Sequence, residues 1–182
     1  FIPADGGASA GSQRVLPPLG SLRATANALF DFGGRPRNGW VKASGAFPIT
    51  GVTIFADVSR GGATAVAPMT TARTELVFAH IADLPPWITG MALLNSGNAS
   101  ANIEITAYNP NGSLVSSPNP VRFSMPPQSK TARLLREWIP QTPARTSDGG
   151  WIRIRSSAPI FGLELFFTSD LRIIVNIGVY PP

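Results

Sequence analysis

The chain has 182 residues, of which 43% are hydrophobic and only 14% charged, with 18 glycines, 18 prolines and no cysteine. It is long enough to bury a core, yet poor in charge and rich in turn formers, which predicts an all-β protein and excludes both a disordered tail and a disulfide or thiolate-metal framework. The net charge of +5 is scattered over positions such as Arg14, Arg60, Arg122 and Arg172, a solvated basic surface with no clustered nucleic-acid footprint, and no run of about 18 apolar residues offers a membrane span.

In chain order, residues 1–11 lack the charged and apolar regions of a signal peptide, so the chain reads as processed or excerpted. Leu16-Pro17-Pro18 precedes Ser21, which is predicted to cap a short helix carrying Leu22, Ala26, Leu29 and Phe30. Gly39-Trp40 opens a strand, and a second runs from Pro48 through Phe55. Alternation then places Ile103, Ile105 and Ala107 on one strand face, with Asn102, Glu104, Thr106 and Tyr108 on the other. Asn109-Pro110-Asn111-Gly112 carries the dihedral preferences of a tight turn and is predicted to join that strand to residues 113–116. Ser129 is predicted to cap a helix over residues 131–139, with Leu134, Leu135, Trp138 and Ile139 as one stripe ending at Pro140. Leu171, Ile173, Val175, Ile177 and Val179 alternate again near the end.

The chain repeats itself. Residues 39–55 align without a gap to residues 150–166, an offset of 111, and six of those 17 positions are identical (Gly39, Trp40, Pro48, Ile49, Gly51 and Phe55). Chance would leave about one. Leu16-Pro17-Pro18 matches Met125-Pro126-Pro127 upstream, and Phe1-Ile2-Pro3-Ala4-Asp5 weakly echoes the run ending in Asp83. Nothing in the first copy corresponds to Trp87 through Phe123. The expected architecture is an immunoglobulin-like or jelly-roll β-sandwich. One abbreviated repeat occupies residues 1–73, open to completion by strands from elsewhere, and one complete repeat occupies residues 74–182, each with a short helix.

Trp87 through Asn95, Ala107-Tyr108-Asn109-Pro110-Asn111-Gly112-Ser113, Met125-Pro126-Pro127, and residues 150–157 with 159–166 together resemble a repeat of secreted and surface-exposed bacterial proteins. That repeat is a tandem β-sandwich module of roughly 110 residues with no activity assigned to the module. The resemblance implies an extracellular or cell-surface location and the sandwich architecture, and lends no site residues.

Chemistry-bearing patterns are sparse. His80 is the only histidine and lies in an apolar run, where a structural role outweighs a catalytic one. Of the carboxylates, Glu104 and Glu164 sit mid-strand and are the candidates for a glycosidase pair, against the plainer reading that both face solvent. Asp5-Gly6-Gly7 and Asp148-Gly149-Gly150 read as turns rather than calcium loops. Gly33-Gly34 and Gly61-Gly62 lack the continuation of a phosphate loop. No catalytic, cofactor-binding or metal residues are assigned.

The remaining candidate contacts are Trp40 with Lys42 and Trp151 with Arg153 and Arg155. Each tryptophan opens a strand with basic neighbours on its face, a pattern suited to stacking on a sugar or to a protein interface, although recurrence in both copies favours packing. The leading functional expectation is a non-catalytic extracellular structural or adhesive module, self-associating through open strand edges in a layer, stalk or filament, with itself or other surface proteins as partner. Residues 14–19 and 74–81 are candidate donors. The alternative is a carbohydrate-binding module using exposed Trp and Arg, with polysaccharide as ligand.

Overall fold

The computed structural model describes residues 1–4, 7–33, 37–116, 118–140 and 149–178. Asp5, Asp148 and Val179, for which the sequence predicts turns and a strand end, lie outside them. Two compact units emerge, Phe1–Phe47 and Pro48–Pro182.

In the first unit, β1 (Ile2–Pro3) pairs antiparallel with β2 (Gly39–Trp40), Ile2 opposite Trp40. The short helix α1 (Ala26–Phe30) starts later than Ser21 predicts, because Thr25 holds the extended backbone of a cap and its Oγ1 accepts from the Ala28 N–H at 3.2 Å. Asp31 stops it at φ 47°. The rings of Phe1, Phe30 and Phe32 gather with centroids 4.7 to 6.0 Å apart, while Leu22 stays exposed. The strand opened by Gly39 ends at Trp40, so Lys42 follows in irregular chain.

The second unit is an all-β sandwich-like arrangement. Its strands are β3 (Thr53–Asp57), β4 (Gly62–Val66), β5 (Arg73–Phe78), β6 (Trp87–Asn95), β7 (Ala101–Tyr108), β8 (Val121–Met125), β9 (Ser129–Leu134), β10 (Trp151–Thr168) and β11 (Ile174–Ile177), with the single-turn helix α2 (Leu135–Trp138) before β10. The 18-residue β10 organises the sandwich. Its first part lies between β5 and β7, Ile152 facing Phe78 and Ala107; its second lies between β6 and β11, Glu164 facing Met91 and Ile177. A register shift between Arg155 and Ile160 divides the two parts, and β8 and β9 extend them beyond β7 and β6.

The core is continuous across both parts: Leu76, Phe78, Leu93, Ile103, Ile105, Ile152, Ile154 and Ile160 are each at most 4% exposed. Each such side chain contributes about 1.5–3 kcal/mol on burial. Ile103, Ile105 and Ala107 are buried as their alternation predicts. The turn at Asn109 forms, with Gly112 at φ 83° donating its N–H to the Asn109 carbonyl at 2.9 Å. The returning chain then makes only a bridge at Leu114, and the ladder partner of β7 is β8.

The predicted helix over residues 131–139 is strand in its first half. Residues 129–134 are taken as β9 by the free side of β6, leaving only Leu135–Trp138 helical. A long-range ladder outweighs modest local propensity here. Near the end, Ile173 and Val175 are 48% and 37% exposed, so the alternation after Leu171 does not mark a buried face.

The internal repeat is also a repeat of pairing. Thr53 faces Val66 and Phe55 faces Thr64 in the β3 and β4 hairpin; 111 residues on, Glu164 faces Ile177 and Phe166 faces Val175. The two hairpins share one register. They also lie side by side, β4 against β11, with a Cβ on Gly62 blocked by the Leu171 carbonyl. For this reason residues 48–66, which the alignment groups with the first copy, belong to the second compact unit.

Candidate functional site

Two surfaces carry what the fold offers for recognition. The first is the outward face of β8, β7, β10 and β5. Because Ile152 and Ile154 point inward, Trp151, Arg153 and Arg155 must point outward. Arg155 stands opposite Glu75 on one side and Glu104 on the other, and Glu104 stands opposite Arg122. Glu75, Arg155, Glu104 and Arg122 thus form a row of alternating charge across four strands.

Arg122 Nη2 is 2.6 Å from Glu104, Arg155 is 3.9 Å from Glu75, and Arg153 Nε donates to Glu75. The Arg153 hydrogen bond, reinforced by the charges of Arg153 and Arg155, holds the Glu75 carboxyl below its ordinary range. Arg153 is raised in turn, first by Glu75 and further by Tyr108. Beside this row the rings of Trp151 and Tyr108 stack at 4.0 Å with planes 8° apart.

Trp151, Arg153 and Arg155 therefore share one face, and Trp40 and Lys42 belong to the other unit. Trp40 is half-buried on β2, with an indole N–H that is buried and unpartnered among the described residues; Lys42 is exposed. The sequence reading missed Tyr108, whose place opposite Trp151 follows only from pairing β7 with β10. The two rings lie face to face, so they form a slab and not the side-by-side platform that a sugar-binding surface offers.

Glu104 and Glu164 do not face a common cleft. Glu104 is outward on its arginine pair, whereas Glu164 is fully buried between Met91 and Ile177, both carboxyl oxygens unpartnered among the described residues. Burial pushes the Glu164 carboxyl up to about 8, so at neutral pH it is mostly a neutral acid in the core. His80 is exposed, past the end of β5, with its ring edge-on to Phe166 at 5.7 Å. Among the described residues no group of three or more His, Asp or Glu is placed to hold a metal ion.

The second surface is the β3 and β4 hairpin. The counterpart of β3 in β10 is covered: Phe166 is 8% exposed, and a Cβ on Gly162 would stand 2.6 Å from Leu76 and 3.1 Å from Phe78. In the first copy Phe55 is 43% exposed, and a Cβ on Gly51 meets nothing within 4 Å. Val52 and Ile54 are 59% and 62% exposed, and β3 has β4 as its only strand partner among the described residues, where β10 also has β6.

No protein-family model and no curated protein matches the chain. Among solved structures 13 chains match, one being similar over 52% of this chain and 97% of its own, the Anabaena sensory rhodopsin transducer, at 22% identity and a TM-score of 0.42.

Proposed function

We propose that the chain is a non-catalytic structural or adhesive module of the cell exterior that associates with copies of itself through open strand edges. One comparison carries this reading. β3 and its counterpart 111 residues on in β10 pair in the same register but differ in cover, and Gly51 keeps the small residue that a close-packed cover demands at Gly162 although nothing approaches it in a single chain. Exposed apolar strand of this kind is driven to find a partner by both burial and unpaired backbone groups.

The alternating charge row across β8, β7, β10 and β5 is largely self-neutralised, which makes it a poor electrostatic partner site and leaves the hairpin as the adhesive surface. Placement outside the cell rests on the resemblance to secreted repeat modules. Sedimentation of the purified full chain over a hundredfold concentration range, with electron microscopy of the same material, tests the reading: assemblies that grow with concentration support it, and a monomer throughout overturns it.

A further inference from the structure

Resting on that reading, we infer that the partner of β3 is β3 of a second copy, the two strands pairing antiparallel about a two-fold axis at Ile54. The free edge of β3 corresponds, 111 residues on, to the edge of β10 that β6 occupies, and β6 runs antiparallel to β10. An antiparallel newcomer therefore repeats a pairing the fold already makes.

The donors available are few. β6 itself is bonded on both sides, by β10 and β9, and β5 is held by β10. Residues 14–19 form no strand and contain Leu19 at φ 60°. Other edge strands carry the charges that discourage edge-to-edge contact: Arg73 and Glu75 on β5, Arg122 on β8, Lys130 and Arg133 on β9. The uncharged strand β11 lies against β4. From Val52 to Ala56 the edge of β3 has neither charge nor proline.

Side-chain chemistry fixes the register. A two-fold axis perpendicular to the sheet keeps each face continuous, so Thr53 and Phe55, which share a face, must meet residues of that face. With Ile54 opposite its own copy, Phe55 stands opposite the partner's Thr53. In the complete repeat Phe166 stands opposite Thr89 in the same way. Each Phe55 then also leans diagonally toward the partner's Gly51, covering the bare position that Leu76 and Phe78 cover at Gly162.

The natural chain has no cysteine, so single cysteines report this geometry directly in the full-length protein. Ile54→Cys is expected to give a disulfide-linked dimer under mild oxidation, because directly opposed Cα atoms of an antiparallel pair lie about 4.5–5.5 Å apart, within the span a disulfide bridges, while Ser100→Cys stays monomeric. Ile54→Lys, at a position already exposed, is expected to leave the far-ultraviolet circular dichroism unchanged and to weaken self-association at least tenfold in sedimentation equilibrium. An assembly that persists in Ile54→Lys, with no disulfide formed by Ile54→Cys, overturns this pairing and leaves self-association standing. A natural chain that is monomeric at every concentration overturns both.

Discussion

Phe55 and Phe166 occupy the same place in two hairpins of identical register, yet one is 43% exposed and the other 8%. Their pairing is alike, so the difference comes from what packs against them. Truncation should therefore separate the two. Phe166→Ala is expected to cost about 3–5 kcal/mol in urea unfolding, whereas Phe55→Ala in dilute chain should cost about 1 kcal/mol or less. Equal losses at the two positions would show that the first hairpin is covered within the single chain.

The glycines follow the same logic. Gly162→Ala drives a methyl into Leu76 and Phe78 and is expected to lower stability by about 1–3 kcal/mol. Gly51→Ala meets open space and should be neutral, or slightly stabilising through the unfolded chain. Thermal unfolding of both variants at low micromolar concentration checks the contrast.

Glu164 makes stability depend on pH in an unusual direction. Its folded carboxyl titrates at about 8 against an ordinary 4.5, so between those values the native state holds a proton that the unfolded chain releases. Stability then falls as pH rises through that window, by about 1.4 kcal/mol per unit where the difference is complete, and levels off above pH 8. Urea unfolding from pH 5 to 9 should show this slope in the natural chain and lose it in Glu164→Gln. Glu164→Met, which removes the buried acid, is expected to be more stable than the natural chain at pH 8.

Asn95 is fully buried where β6 turns away. Its Nδ2 donates to the carbonyls of Ala99, Met125 and Pro126 at 2.8 to 3.2 Å, and its Oδ1 accepts from the Gly97 N–H at 3.0 Å. Asn95→Leu strands all of these groups and is expected to cost about 3 kcal/mol or more, since each buried orphan costs about 1–3 kcal/mol. Chemical denaturation reads this directly.

The Trp151 and Tyr108 stack is predicted to be structural. A double-mutant cycle with Trp151→Ala and Tyr108→Ala should return a coupling of about 0.5–1.5 kcal/mol. Tryptophan fluorescence should stay unchanged across a panel of soluble polysaccharides. A saturable quench that Trp151→Ala abolishes would instead establish a glycan surface there.

Much of this protein was legible before any fold was known. The 111-residue repeat, the all-β composition, the apolar face of Ile103, Ile105 and Ala107, and the common face of Trp151, Arg153 and Arg155 all follow from identity, turn chemistry and period-two alternation, which act locally; that this common face points outward was decided by the sheet. Other features depend on distant chain. Residues 160–167 are apolar on both parities apart from Gly162 and Glu164, so no pattern could say which face is inside. Pairing with β6 and β11 put Glu164 in the core. Residues 129–134 became a strand because β6 had a ladder to complete, and Tyr108 met Trp151 only through the register of β7 on β10. Side-chain alternation reports what a strand could bury, but whether Phe55 and Phe166 are covered is decided by which strands are present to cover them.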